Sequence, residues 1–244
     1  MIADLRKKYE SLGLLGICDR LLFKIKKRFL YLWYIKRFVS SGKSVVFEGS
    51  MNIVGGRGIK LGNNIVFGKN VRLRCDENSK LIINDDCYIA ENVILTSTNY
   101  VNIGKGTKIH EGSIVGGENI KVGEKVWISR YSTVQGIDIS IGNESILSPF
   151  VYIIDNDHYV DPKTGRITLD KGNTAPVRLE ENVWVCKGSI ILKGVNIGCN
   201  SIIAAGSVVT HNVPERSMAA GATAKIIKKY GPKFLKALKS EMEV

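Results

Sequence analysis

The 244-residue chain is 44% hydrophobic, which is ample for a single core, and it has a net charge of +12. The charge lies at the two ends: residues 1–43 hold 11 Lys/Arg and 3 Asp/Glu, residues 225–244 hold 6 Lys and 2 Glu, and residues 44–224 are neutral. A nucleic-acid groove across the body of the protein is therefore not expected.

Residues 1–43 predict a basic amphipathic helical segment, because apolar residues recur there at helical spacing with lysines and arginines between them. Two interpretations of this segment stay open. It packs against the end of the main domain or a neighbouring subunit, or it lies on an anionic membrane surface. Its uncharged stretches are too short to span a bilayer.

The five cysteines are odd in number and include no CxxC pair, which favours reduced thiols. We therefore expect a cytoplasmic protein, located at the inner face of the membrane if the N-terminal segment binds lipid. Cys186 and Cys199 lie within a repeated region and are predicted to be small residues of its wall.

A six-residue repeat of single aliphatic residues dominates residues 44–230. It is most regular near the end, where every sixth position from Leu179 to Val209 is aliphatic and many intervening residues are small or polar. Neither a helix nor an alternating strand has this period, whereas a parallel β-helix does, because each repeat forms one short face of a coil. The period therefore predicts an all-β solenoid whose repeated aliphatic residues point inward.

The repeats group into trios, which predict triangular coils of about 18 residues. Between trios the phase slips by a few residues, so insertions are expected to leave from one corner of the prism. We predict about seven coils, one for each trio. The trios are Leu61, Phe67 and Leu73; Ile83, Ile89 and Leu95; Ile103, Ile109 and Val115; Val122, Ile128 and Val134; Ile141, Leu147 and Ile153; Leu179, Val185 and Ile191; and Ile197, Ile203 and Val209.

The largest break in the repeat predicts a loop insertion over residues 154–178. Insertions that leave a rigid scaffold commonly carry function. This one contains His158, and histidine can take up and return a proton near neutral pH if a neighbouring group holds its tautomer. The sequence does not decide which neighbour does so. The nearby carboxylates are Asp155 and Asp157.

The three histidines could in principle form a zinc site. His110, His158 and His211 are 48 and 53 residues apart, however, and this spacing lacks the local ligand pair typical of zinc sites. No metal requirement is expected.

Residues 231–244 predict a short C-terminal helix, with Pro232 in its first turn. Its apolar side would be formed by Phe234, Leu235 and Leu238. The chain thus divides into a basic segment, a main domain over residues 44–230 and this terminal helix.

The closing repeats resemble the hexapeptide-repeat acetyltransferases. The resemblance rests on NVWVCKGS at residues 182–189, IAAGSVVT at residues 203–210 and AAGATAKII at residues 219–227. It covers about residues 45–230 and is closest to the sugar O-acetyltransferases, those resembling maltose and galactoside acetyltransferases and the enzymes that modify capsule or O-antigen polysaccharides.

The resemblance implies a left-handed β-helix, a homotrimer, and acetyl-coenzyme A as co-substrate in the cleft between subunits. It also implies that His158 is the catalytic base. Tyr159 and Arg166, in the same insertion, are candidate contacts for the acceptor. The positions that match the family's coenzyme contacts are Trp184, Lys187, Ala205, Thr210, His211, Lys225 and Lys228.

Two residues depart from the family pattern. Cys186 stands where the family has Gly or Ala, and Thr223 stands where it has proline. Both departures affect the expected geometry around the coenzyme. Cys186 is expected to narrow the slot beside the thioester, and Thr223 is expected to change how the chain leaves the last coil.

The resemblance implies acetyl-coenzyme A-dependent transfer of an acetyl group to a hydroxyl of a sugar or a surface-glycan precursor. Two alternatives stay open: N-acetylation of an amino-sugar nucleotide, and a non-catalytic β-helix scaffold. The identity of the acceptor does not follow from the sequence.

Overall fold

The computed structural model describes Ile25 and residues 40–231 of the chain. The predicted helical segment 1–43 and the predicted helix 231–244 therefore lie almost wholly outside the described residues. Within residues 40–231 the only helical turn is a 3-10 turn over Gly56–Gly58. No helix among the described residues has the length and apolar run that crossing a bilayer requires.

Residues 40–231 form a parallel β-solenoid of short strands. The strands before the insertion are β1 (Ser40–Ser41), β2 (Val46–Phe47), β3 (Met51–Val54), β4 (Ile59–Leu61), β5 (Val66–Phe67), β6 (Val71–Cys75), β7 (Lys80–Ile83), β8 (Tyr88–Ile89), β9 (Ile94–Ile103), β10 (Lys108–Ile109), β11 (Ile114–Val122), β12 (Trp127–Ile128), β13 (Thr133–Ile141), β14 (Ile146–Leu147) and β15 (Tyr152–Ile154). The insertion contains β16 (Asn156–Val160) and β17 (Ile167–Thr174). The later strands are β18 (Val177–Leu179), β19 (Trp184–Val185), β20 (Ile190–Ile191), β21 (Asn196–Ile197), β22 (Ile202–Ile203), β23 (Val208–Val209), β24 (Ser217–Ala220) and β25 (Lys225–Lys229).

Each coil presents three faces, and equivalent residues of successive coils pair in parallel. The second face shows this most simply, because its strands pair in the order β2, β5, β8, β10, β12, β14, β19, β22 and β24. We number the coils 1 to 9 by the inward residue that each coil contributes to this face. These residues are Phe47, Phe67, Ile89, Ile109, Ile128, Leu147, Val185, Ile203 and Ala219.

The described residues form about nine coils, so the predicted count of seven is too low. In coil 1, Phe47 stacks on Phe67 with 5.4 Å between the ring centroids. That coil was missed because Ser41 takes the place of an aliphatic residue at its start. Coil 9 was missed because Val213 follows the preceding repeat residue by only four positions and Ala219 is small.

The core runs the length of the solenoid. The repeat residues point inward and are buried, and so are the residues two positions before them, because side chains alternate along a strand. In coil 5, for example, Ile128 and Val126 are both buried. Since one coil cannot bury such a column, stability comes from stacking.

Buried hydroxyl groups satisfy the polar backbone at the corners. The Ser132 hydroxyl donates a 3.0 Å hydrogen bond to the Ser148 carbonyl of the next coil and accepts one of 3.2 Å from the Val151 amide. The side chains with the same donor role are those of Thr107, Ser113, Ser145, Ser189 and Ser201. Each bridges consecutive coils where strand pairing stops.

The corners have a regular backbone geometry. We name the first, second and third corners after the faces they follow. Three residues after most repeat residues of the first and second faces, the backbone adopts positive φ. At the second corner these residues are Asn70, Asn92, Gly112, Tyr131, Phe150, Gly188 and Gly206.

The insertions gather at the third corner, as the phase slips predicted. The 3-10 turn lies there in coil 1, a turn after Cys75 lies there in coil 2, and the antiparallel pair β16–β17 leaves between coils 6 and 7. The segment that contains His158 is therefore attached to an otherwise continuous stack of parallel strands.

Candidate active site

His158 lies on a two-stranded antiparallel hairpin. β16 pairs with β17, and His158 is opposite Gly172, whereas the next residue, Tyr159, is opposite Thr168. Three additional residues of β17 thus bulge between these partners. Bulges bend a strand and re-aim side chains, and they are frequent beside active sites.

The His158 side chain is exposed, and no described side chain hydrogen-bonds to it. An exposed imidazole on a hairpin that projects from the solenoid is accessible to a substrate. An accessible imidazole can in general accept and return a proton.

Asp155 anchors the base of the hairpin. Its side chain is only 1% exposed, and its carboxylate accepts hydrogen bonds from the backbone amides of Ile137 and Asp138 in the preceding coil. A Cβ atom at Gly136 would come within 2.1 Å of the carboxylate, so glycine is needed there. The structure directs Asp155 toward the solenoid and not toward the imidazole of His158.

Asp157 joins the hairpin to coil 7. Its carboxylate lies 2.8 Å from the ammonium group of Lys193, and the carboxylate side chain is about half exposed. An ion pair this exposed adds little stability but restricts the hairpin locally. Neither predicted carboxylate hydrogen-bonds to His158.

The two predicted acceptor contacts lie apart on the hairpin. Tyr159 is half-buried next to His158, whereas Arg166 is exposed at the tip, where its carbonyl accepts a 2.9 Å hydrogen bond from the Asp161 amide. Arg166 is three residue pairs from His158, or about 10 Å along the strands. Only Tyr159 adjoins the histidine directly.

In the two coils that follow the hairpin, the third corner presents the side chains of Lys193 and His211. Ile191 and Val209 are paired, and Lys193 and His211 each follow two residues later, so they occupy the same corner of coils 7 and 8. The hydroxyl of Thr210 lies 2.8 Å from Nδ1 of His211. His158, Lys193 and His211 therefore belong to one edge of the prism.

Lys187 and Ala205 occupy a different edge, the second corner of coils 7 and 8. The amide of Gly206 donates a 2.9 Å hydrogen bond to the Lys187 carbonyl. Trp184, on the second face, donates from its indole nitrogen to the Ser148 hydroxyl at 3.0 Å. The third face, with exposed Ile190, separates this edge from His211.

Lys225 and Lys228 lie on β25, which folds back antiparallel to β24 at the end of the solenoid. Both are exposed, and the ammonium group of Lys228 lies 5.3 Å from the centre of the Tyr230 ring. The predicted coenzyme contacts thus divide among two corners, one face and this last strand. A single chain does not gather them into one pocket.

Cys186 is a half-buried residue of the wall beside Trp184. Burial raises the pKa of its thiol, which keeps the thiol protonated at neutral pH. Burial, with a contribution from Cys186, also raises the pKa of Tyr230. The environment suits a packing residue better than a nucleophile.

The three histidines occupy separate places. His110 lies on the second face in coil 4, stacked on Trp127 with 4.5 Å between ring centroids. Among the described residues, no group of three or more His, Cys, Asp or Glu side chains is arranged to hold a metal ion.

A cavity of about 800 Å³ lies at the third corner near the start of the solenoid. It is lined by residues 54–58 and 74–80 together with Lys60. It shares an edge of the prism with His158 but lies several coils away, so we do not assign the acceptor hydroxyl to it.

Comparison with known proteins relates the chain to acetyltransferases. No family model matches it. A galactoside O-acetyltransferase of Lactococcus lactis subsp. lactis (strain IL1403) is 35% identical over 115 residues, covering 47% of this chain and 55% of that protein. An Escherichia coli (strain K12) protein, provisionally named a lipopolysaccharide biosynthesis O-acetyl transferase, is 29% identical over 159 residues. The match covers 61% of this chain and 79% of that protein. Over part of its length, the chain is therefore similar in sequence to the hexapeptide-repeat sugar acetyltransferases.

The likeness to this family includes the fold. The crystal structure of the polySia specific acetyltransferase NeuO is 23% identical, with a TM-score of 0.50 over 83% of this chain and 96% of that one. The left-handed β-helix expected from the resemblance is confirmed. The chain spans about half the length of the first curated relatives it matches.

Lys193, which forms the ion pair with Asp157 at the base of the hairpin, was not singled out from the sequence. A signal was present, because Lys193 follows Ile191 by two positions just as His211 follows Val209. The aromatic pair Tyr131 and Phe150 was also missed, although both occupy corner positions that hold Asn or Gly in the neighbouring coils.

Proposed function

We propose that the protein transfers an acetyl group from acetyl-coenzyme A to a hydroxyl of a sugar or a surface-glycan precursor. The observation that supports this most is the exposed His158, presented by the one hairpin that interrupts the described solenoid. Curated relatives that include a galactoside O-acetyltransferase support the substrate class.

In this proposal His158 is the general base. The imidazole takes the proton of the acceptor hydroxyl while the oxygen bonds to the acetyl carbon. The bond from that carbon to sulfur then breaks, and His158 returns the proton to the departing thiolate. The thioester supplies an activated acetyl group, and a backbone N–H is expected to stabilise the developing oxyanion.

We propose a homotrimer with the coenzyme between neighbouring copies. The support is the separation of the predicted contacts. Lys187 and Ala205 lie on the second corner, whereas Thr210 and His211 lie on the third. A groove between copies could bring a second corner of one copy opposite a third corner of the next.

Lys225 and Lys228 are proposed to bind the phosphates of the coenzyme. They lie on exposed β25 with a charge opposite to that of phosphate. Lys229 is on the same strand and adds to this positive potential.

We further propose a cytoplasmic location, with the basic segment 1–43 at the inner face of the membrane. Its charge supports contact with anionic lipid. Loss of binding to vesicles of phosphatidylglycerol and phosphatidylcholine after deletion of residues 1–39 would support this contact. Absence of binding by the full chain would contradict it.

His158→Gln tests the proposed base. We expect the variant to lose about 10²- to 10⁴-fold in kcat for acceptor-dependent thiol release from acetyl-coenzyme A. Because His158 is exposed, its melting temperature and affinity for coenzyme A are expected to stay unchanged. Full turnover by the variant would show that another group removes the proton.

The product separates the alternatives. Hydroxylamine releases the acetyl group from an ester but not from an amide, so a resistant product would identify N-acetylation of an amino sugar. If calorimetry shows no binding of acetyl-coenzyme A to the full chain, the scaffold interpretation replaces catalysis.

A further inference from the structure

The first two coils carry a local excess of positive charge. Residues 55–80 contain six Lys/Arg and two Asp/Glu, whereas residues 81–224 contain 12 Lys/Arg and 15 Asp/Glu. The basic residues of the main domain therefore collect in the coils that directly follow the basic segment 1–43. Because like charges in one region sum to a local potential, this end of the solenoid attracts anionic ligands.

Four of these cations line the cavity of about 800 Å³ at the third corner. Arg57 belongs to the 3-10 turn of coil 1, Arg74 and Lys80 flank the corresponding turn of coil 2, and Lys60 lies on β4. The guanidinium group of Arg74 lies 2.9 Å from the carboxylate of Asp76. The other three cations form no ion pair within the part of the chain that the structure describes.

The balance of charge in this cavity is positive. Its lining contains two carboxylates, and that of Asp76 is already paired, so among the lining residues Glu77 alone opposes the unpaired cations. The side chains of Arg57, Lys60 and Lys80 are exposed. A ligand in the cavity would meet several cationic hydrogen-bond donors, which suit the oxygens of phosphate groups.

The turns that carry these side chains are fixed by close backbone packing. A Cβ atom at Gly58 would lie 2.5 Å from the Sγ atom of Cys75, so the turn of coil 1 rests directly on coil 2. The hydroxyl of Ser79 in turn donates a 3.1 Å hydrogen bond to the Ser97 carbonyl of coil 3. The charged side chains therefore project from a backbone whose position is set by the neighbouring coils.

We propose that this cavity binds the phosphate groups of a glycan precursor whose reducing end carries a diphosphate. The inference rests on the proposed function and names its acceptor class, a diphosphate-linked oligosaccharide. The cavity and the hairpin with His158 lie at the same corner, about four coils or roughly 19 Å apart. With the diphosphate at coils 1 and 2, the sugars would extend along the corner, and one away from the reducing end would reach His158.

Two carriers share this diphosphate chemistry, a polyprenyl lipid and a nucleoside. The position of the cavity favours the lipid, because its residues belong to the coils that directly follow the basic segment 1–43, the proposed membrane contact. A lipid-linked precursor would present its diphosphate close to the membrane surface and its sugars further from it.

The cavity variant is Arg57→Gln/Lys80→Gln, which removes one unpaired cation from each of the two coils. Both side chains are exposed, so the fold should be retained. The matched control is Lys69→Gln/Lys121→Gln, which removes two exposed positive charges outside the cavity. The two double variants therefore have the same net charge, and a difference between them reports the cavity alone.

Calorimetry of the full chain with inorganic pyrophosphate tests the site without any need for turnover. We expect the original protein to bind pyrophosphate, the cavity variant to bind it about tenfold more weakly, and the control to stay within about twofold of the original. No binding by the original protein, or the same loss in both variants, would overturn the inference. Glucuronate that binds as tightly as pyrophosphate would also overturn it, because the cavity would then not select a diphosphate.

Acceptor kinetics then identify the carrier. One galacto-tetrasaccharide is supplied as its methyl glycoside, linked through diphosphate to farnesol, and linked through diphosphate to uridine. We expect a diphosphate form to have a KM about tenfold below that of the methyl glycoside, and this advantage to be lost in the cavity variant but not in the control. The diphosphate form with the lower KM identifies the carrier.

The two proposals fail in different ways. Equal KM values for all three acceptors would overturn the diphosphate site and leave the acetyl transfer intact. Acetylation of none of them would contradict the proposed function, and the binding of pyrophosphate would then still decide for or against the site.

Discussion

Asp155 shows how one buried carboxylate can position an entire hairpin. It follows β15 directly and accepts hydrogen bonds from two backbone amides of the preceding coil, while its own carbonyl accepts one of 3.0 Å from Ala175 at the other end of the hairpin. Both strands of the hairpin are therefore tied to the solenoid at this residue.

Asp155→Ala should destabilise the protein by about 2–4 kcal/mol, because it leaves two amides near the solenoid wall without their acceptor. The matched change, Asp157→Ala, removes only an exposed ion pair and should cost about 0–1 kcal/mol. Urea unfolding of the two variants measures the difference. Equal unfolding midpoints would show that Asp155 does not hold the base of the hairpin.

The sequence pointed to His158 but not to the partners of its neighbouring carboxylates. Asp155 and Asp157 both lie within three residues of His158, but their roles depend on amides and a lysine that are 17 to 36 residues away. Such contacts come from the stacking of coils. The six-residue period predicts that the coils stack, but it does not predict which side chains of different coils contact each other. The same reason explains why Lys193 was missed.

The coil is the element that determines stability. Its strands are mostly two to five residues long, so the corners contain many backbone groups that strand pairing cannot satisfy. Buried hydroxyls supply the missing partners, as Ser132 does for Ser148 and Val151. These residues are polar by type, yet they belong to the interior.

Ser132→Ala should cost about 1–3 kcal/mol, because the buried Val151 amide and the Ser148 carbonyl lose their common partner. Ser140→Ala, an outward-facing serine between Ile139 and Ile141, is the control and should stay within about 0.5 kcal/mol. Thermal unfolding monitored by circular dichroism checks both. Equal melting temperatures would mean that water replaces the hydroxyl at the corner.

At the scale of coils, the period predicted which residues point inward and which corner receives insertions. It underestimated the number of coils because the terminal ones lack regular aliphatic repeats, with Ser41 at one end and Ala219 at the other. It placed the insertion but not its β-hairpin, since β16 and β17 have no alternating apolar pattern and are joined across a bulge.

At the scale of the whole molecule, the predicted coenzyme contacts are divided among two edges of the prism, one face and the last strand. The linear sequence places Lys187, Ala205 and His211 within one short stretch, yet the triangular coil directs them to different corners. The proposed groove between copies would bring these positions together. Neither the assembly nor the acceptor can be deduced from a six-residue period.

The central claim is that this solenoid is a sugar O-acetyltransferase. The most direct measurement incubates the full chain with acetyl-coenzyme A and galactosides, and compares thiol released with acetyl groups gained by the sugar in mass spectrometry. We predict one hydroxylamine-sensitive acetyl group per thiol, with no transfer beyond background by His158→Gln. Thiol release without acetylated sugar, or acetylated sugar from both proteins at equal rates, would contradict the account.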